Sequence, residues 1–145
     1  MSVNIVGSWN LVAWRRLEGD AVTFPLGADA SGLLIYTEDH LMAVQMIAAN
    51  RPVLPTQDEL GGDPQQRAAA YSTCLAYFGS YEVQGDNVIH RIKGCLFPNW
   101  SGTVQARPFT CTADELVLRT PPVTDAGATV VNEIAWVRAS PGDRG

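Results

Sequence analysis

The strongest constraint in this chain is a repeated alternation of apolar and polar side chains with a period of two, interrupted at short intervals by turn-forming residues. A pleated strand points successive side chains to opposite faces, so each such segment buries one face and wets the other. Residues 7–16 read as a strand closed by the Glu18-Gly19-Asp20 turn, and a short extended piece follows at 22–24. Segments 32–37 and 41–48 flank Glu38-Asp39-His40, where Asp39 is expected to hydrogen-bond its own backbone. Segments 77–84 and 87–95 flank Gly85-Asp86, segments 103–111 and 115–120 flank Thr112-Ala113-Asp114, and a last strand at 129–138 follows Asp125-Ala126-Gly127. Eight main strands joined mostly by short turns remove their exposed edges by closing on themselves, which predicts an all-β, eight-stranded antiparallel up-and-down β-barrel. A barrel of that size holds side chains or one small ligand.

One stretch, 49–76, breaks the alternation. Pro52, Pro55 and Gly61-Gly62 make its first half irregular, and Asp63-Pro64-Gln65-Gln66 then opens a helix. Asp63 is its N-cap, Pro64 its first helical residue, and Gln66 the residue that reaches back to the cap. The run Arg67-Ala68-Ala69-Ala70-Tyr71 sustains a helix expected over 64–74. So long an insertion between two hairpin strands is expected to cover or border one end of the barrel, with Trp9 packing closed the other. No repeat or linker suggests a second domain, so 1–145 is taken as a single domain.

Composition narrows the function. The chain has 145 residues, 46% hydrophobic and 17% charged, with a net charge of −5. A polyanion partner needs clustered Lys and Arg, so nucleic acid is not expected. There is no apolar run long enough to span a membrane and no basic flank or cleavage pattern within residues 1–10, so no membrane partner and a cytoplasmic location are expected. Cys74, Cys95 and Cys111 are odd in number and widely spaced, which suits buried thiols better than zinc or a disulfide framework. His40 and His90 are the two histidines, and no phosphate loop, HExxH or GxSxG motif occurs, so no metal and no cofactor are expected. An acidic surface and the long insertion leave room for a homodimer.

Alternation also sorts each strand into faces, and polar groups on an inward face demand an explanation. On 87–95, His90 shares a face with Val88 and Ile92, opposite Arg91 and Lys93. On 77–84, Tyr77 and Tyr81 point inward, and on 103–111 Gln105, Arg107 and Phe109 share a face. Tyr36 beside Leu34, and Gln45 across the hairpin, extend the expected polar lining. A buried guanidinium cannot be neutralised and requires a partner, either a protein carboxylate or an anionic or carbonyl-bearing ligand. Set against this, an inward histidine is more often a hydrogen-bonded core residue than a catalyst, and barrel tyrosines commonly pack their rings and bond a neighbour.

The chain also resembles a known family. Gly7-Ser8-Trp9 is similar to the Gly-x-Trp signature of lipocalins. Pro25-Leu26-Gly27, Gly32-Leu33-Leu34-Ile35-Tyr36-Thr37, Tyr77-Phe78-Gly79-Ser80-Tyr81-Glu82-Val83 and Leu96-Phe97-Pro98-Asn99-Trp100-Ser101-Gly102 resemble the bacterial and fungal lipocalin-like domain family over nearly the whole length. The resemblance implies a calycin-type barrel with a ligand cavity. It leaves two functions open, because the wider group holds both carriers and cofactor-free isomerases or cyclases of natural-product pathways. His90, Gln105, Arg107 and Trp100 fall on positions that match the family's pattern. The chain departs from secreted lipocalins in having no recognisable signal peptide and no disulfide pair.

Two readings follow. In the first, an apolar cavity takes one small hydrophobic, carbonyl- or carboxylate-bearing molecule, with Tyr36, Gln45, Tyr77, Gln105, Phe109 and Trp100 as binding residues and Met42 and Met46 adapting to its shape. In the second, His90 moves a proton while Arg107 or the Tyr81 hydroxyl stabilises a developing oxyanion, giving a cofactor-independent isomerase, cyclase or lyase.

Overall fold

Turn chemistry and closure together set the architecture. The computed structural model describes residues 4–140. Its elements run β1 (Gly7–Glu18), β2 (Ala21–Thr23), β3 (Ser31–Tyr36), β4 (Leu41–Ile47), α1 (Pro64–Tyr71), β5 (Cys74–Gln84), β6 (Asn87–Cys95), a 3-10 turn (Pro98–Trp100), β7 (Val104–Cys111), β8 (Glu115–Arg119), β9 (Val123–Asp125) and β10 (Ala128–Arg138). The strands form one antiparallel sheet in the order β2-β1-β3-β4-β5-β6-β7-β8-β10-β9, and pairing of β1 with β10 closes it. The eight long strands are the barrel. β2 and β9 are three-residue additions paired to β1 and β10.

The hairpin turns are those expected. Gly85 has φ of 61°, a left-handed conformation that glycine adopts without the Cβ penalty, and it joins β5 to β6 with Gln84 opposite Asn87. The Glu38-Asp39-His40 turn uses a different bond from the one expected. The Asp39 carboxylate accepts from the Thr37 hydroxyl, while the Thr37 oxygen accepts from the Leu41 amide at 3.0 Å.

The insertion differs in its second half. The capping box forms as expected: the Gln66 amide donates to Asp63 at 2.8 Å, and the Gln66 side chain accepts from the Asp63 amide at 3.1 Å. The helix nevertheless ends at Tyr71 and not at 74, because the Ser72 and Thr73 amides turn back to the carbonyls of Ala68 and Ala70. Cys74 already pairs with Ile47, so β5 starts three residues before the expected position and is long enough to reach both ends of the barrel.

The two ends have opposite characters. At one, Trp9 is fully buried and its indole N–H donates to the Ile5 carbonyl at 2.9 Å. The Arg138 guanidinium lies 4.1 Å from the Trp9 ring centre and donates to the carbonyls of Asn4, Val6 and Ala113. These bonds tie the start of β1, the end of β10 and the β7–β8 turn into a plug. At the other end lie the insertion, the β6–β7 loop with its 3-10 turn, and the end of β8. The last residues of α1 reach this rim, where Tyr71 and Ser72 share a recess with Trp14, Leu96 and Phe97. Between the ends, Leu34, Val44, Val88, Leu116 and Trp136 fill the interior. Among the described residues no helix is long and apolar enough to cross a membrane.

Candidate functional site

Strict alternation on β6 turns Val88, His90 and Ile92 inward while Arg91 and Lys93 stay exposed. His90 is fully buried, and both of its ring nitrogens are engaged. Its Nε2 lies 2.7 Å from the Tyr36 hydroxyl of β3, and its Nδ1 lies 3.0 Å from the Tyr77 hydroxyl of β5. Burial, and secondarily the nearby Arg107 charge, push the His90 pKa down from 6.5 to about 3, so the imidazole is neutral at any ordinary pH. Burial also raises the Tyr36 hydroxyl well above its usual range, with Tyr77 adding to the effect. Tyr77 is raised by burial against the opposing pull of the nearby Arg107 charge. The three rings form an uncharged chain running from the barrel floor toward its mouth.

Arg107 on β7 stands at the mouth end of this chain and is 6% exposed. Its Nη1 donates to the Gln105 side-chain oxygen at 3.4 Å, and its guanidinium carbon lies 5.6 Å from the centre of the Trp100 ring. Gln105 is in turn held by Thr103 at 3.2 Å. The ion pairs of the described residues join Arg15 and Arg119 to Glu133, Arg16 to Glu18, and Arg91 to Glu82, and none involves Arg107. Nor do the described residues include a group of three His, Cys, Asp or Glu placed to hold a metal ion.

Tyr77 and Arg107 open onto a cavity of about 280 Å³ inside the open end. Trp14, Met46, Leu75, Phe97, Trp100 and Ile134 give it apolar walls, with Thr120 and Asn132 at one side. Tyr77 and Trp100 meet edge to face with ring centres 6.0 Å apart, and Phe97 packs on Trp100 at 5.9 Å. A larger recess of about 480 Å³ lies outside the barrel between residues 51–54 and α1. Exposed chain lines most of it, and Arg51 there is already tied to Thr73 and to the Ala70 carbonyl, so it offers no buried polar group to a ligand.

Of the residues singled out in the sequence, Tyr77, Trp100 and Arg107 line the interior cavity, and Tyr36 and His90 lie behind Tyr77, linked to it. Gln105 braces Arg107, and Phe109 is half-buried against the core. Tyr81 is buried with its ring 4.5 Å from that of Tyr36, but its hydroxyl donates to the Thr37 carbonyl at 2.7 Å, toward the plugged end and away from the cavity. Gln45 is a correction. Met42, Val44 and Met46 take the inward face of β4, which leaves Gln45 exposed on the outer wall with Leu41 and Ala43. Trp14, Thr120 and Asn132 were missed. A register shift between Leu11 and Ala13 changes the phase of β1, so Trp9 and Trp14 reach the interior although they are odd and even in number. Trp14 then donates to the Asn132 side chain at 2.9 Å. A bulge leaves no mark in the alternation that would have revealed this.

Comparison with known proteins agrees with the barrel fold. The profile of the lipocalin-like domain family matches residues 6–139. A protein of Aspergillus oryzae described as a 4'-hydroxy-3'-methoxypropiophenone carrier is 29% identical over 104 residues, which span 66% of this chain and 94% of that protein.

Proposed function

Because the chain belongs to the lipocalin-like domain family, we propose that its barrel is a carrier for a small hydrophobic molecule whose carbonyl or carboxylate oxygen rests against Tyr77 and Arg107. Family and carrier relative both support binding of a small hydrophobic ligand. The observation that carries the finer reading is a buried guanidinium, without a carboxylate partner among the described residues, in the wall of an apolar cavity. A buried cation left unpaired is costly, and an acceptor oxygen on a ligand offsets that cost. The volume, about 280 Å³, lies at the small end of ligand sites, which favours a single aromatic ring with short substituents over a lipid. An aryl ketone such as the one named for the Aspergillus carrier has that size and an acceptor oxygen.

The arrangement gives less support to proton transfer by His90. Both ring nitrogens are taken by tyrosine hydroxyls, the ring stays neutral down to about pH 3, and Tyr77 stands between it and the cavity.

The test is a titration with 4'-hydroxy-3'-methoxypropiophenone, read by quenching of Trp14 and Trp100 fluorescence. Removing a charged hydrogen bond costs about 1.5–3 kcal/mol, so Arg107→Met is expected to weaken binding roughly ten- to hundredfold. Unchanged affinity in that variant would overturn the placement of the oxygen. Absence of binding by the native protein to this and to other monocyclic aryl ketones and acids would overturn the carrier reading.

A further inference from the structure

The hydrogen count of the buried chain settles which way it points. A neutral imidazole carries one N–H and one acceptor nitrogen, and each tyrosine brings one hydrogen. If Nε2 held the imidazole proton it would donate to Tyr36, and the Tyr36 hydrogen would then have no acceptor among the described residues, although the residue is 1% exposed. Leaving such a donor unsatisfied in a buried site is costly. If Nδ1 holds the proton, Tyr36 donates to Nε2 across the short 2.7 Å contact, and Nδ1–H donates to the Tyr77 oxygen at 3.0 Å. Arg107 borders the same cavity as Tyr77. With its oxygen accepting from Nδ1–H, Tyr77 has its own hydrogen left over, and the cavity is the open space it borders.

We infer that the Tyr36–His90–Tyr77 chain holds the Tyr77 hydroxyl as a fixed donor into the cavity beside Arg107, and that the cavity therefore takes an acidic ligand, a phenol, enol or carboxylic acid, as its anion. This rests on the cavity being a ligand site, as proposed above, and adds the ligand's charge state and a positioning role for His90 and Tyr36. Two donors converge, one of them a full charge, in a space whose other walls are mostly apolar, and such a site discriminates against a ligand oxygen that keeps its proton. The groups around the chain are Tyr36 and Tyr81 on the floor side, Tyr77 and Cys95 at its middle, Cys111 beside Tyr36, and Arg107 at the mouth. Tyr36, Tyr77 and Tyr81 are raised above their usual value and His90 is lowered to about 3. None of these four groups changes charge near neutral pH.

The probe is 4-nitrophenol, whose phenolate is coloured, compared with 4-nitroanisole, the same shape without an acidic proton. With the full-length protein in excess, the ionisation midpoint of bound 4-nitrophenol is expected to fall by at least about one pH unit, a tenfold preference for the phenolate. The anisole should bind at least about tenfold more weakly. Equal binding of both probes with an unshifted midpoint would overturn the anion inference and leave the carrier reading standing, whereas no binding of either would overturn both. Arg107→Met and Tyr77→Phe should each reduce the shift. His90→Gln, which keeps one donor and one acceptor, should retain most of it, while His90→Phe should lose part, and full retention in His90→Phe refutes the positioning role. Nitrogen-15 NMR of the native protein tests the chain without mutation. His90 should show a protonated Nδ1 and an unprotonated Nε2, and the reverse tautomer would overturn the inference.

Discussion

Acid should destabilise this protein through His90, by an amount that the structure sets. The imidazole is buried between two tyrosine hydroxyls, with a folded pKa of about 3 against 6.5 for an unperturbed histidine. The folded pKa is the lower one, so the unfolded chain binds more protons through the window between them, and stability is lost as pH falls from 6.5 toward 3. Each pH unit within the window is worth about 1.4 kcal/mol, so at about pH 4.5, two units below 6.5, the loss from this one residue is about 2.7 kcal/mol. Carboxylates held in ion pairs, such as Glu82 beside Arg91, add their own acid sensitivity. The assay is therefore a comparison: urea unfolding of native protein and His90→Gln across pH 4 to 8. Glutamine does not titrate, so the difference between the two curves isolates the imidazole. The native protein should lose stability more steeply below about pH 6.5, and the two curves should run parallel above it. Parallel curves throughout, or an NMR titration of His90 near 6.5, would show a solvated ring and refute the buried chain.

Arg107→Met should move stability and binding in opposite directions. Replacing a buried, uncompensated cation with a similar apolar volume is neutral to stabilising by about 1–4 kcal/mol, less about 0.5–1 for the Trp100 ring contact, so the ligand-free melting temperature should hold or rise while affinity for an acidic aromatic falls. A loss of more than about 2 kcal/mol without ligand would mean that Arg107 serves the fold. Gly79→Ala should cost more than about 2 kcal/mol in urea unfolding, because a Cβ there would overlap the Arg91 carbonyl oxygen at the β5–β6 bulge; a near-neutral result would contradict the bulge geometry. Asp63→Ala removes the α1 cap and should cost about 1 kcal/mol or less globally, since α1 buries no residue, yet it should speed proteolysis near Gly61-Gly62. First cleavage inside β6 would count against the insertion being the weakest segment.

The barrel was legible in the sequence because its causes are local. Side-chain alternation requires only neighbours along one strand, and turns such as Gly85-Asp86 carry their conformational preference in two residues. The same local logic placed His90, Tyr77 and Arg107 on inward faces, and the Asp63–Gln66 capping box started the helix where it was expected. What failed was decided between strands. The end of α1 at Tyr71 depends on Cys74 pairing with Ile47, a contact made across the insertion. The place of Trp14 in the cavity wall depends on a shift in register between β1 and β10, which alternation cannot register. Gln45 was assigned inward from a hairpin whose inner face Met42, Val44 and Met46 occupy. The chemistry of the site was the least legible of all. Which hydroxyl meets which imidazole nitrogen, and whether any carboxylate reaches Arg107, are distances between β3, β5, β6 and β7, and those distances exist only once the barrel has closed.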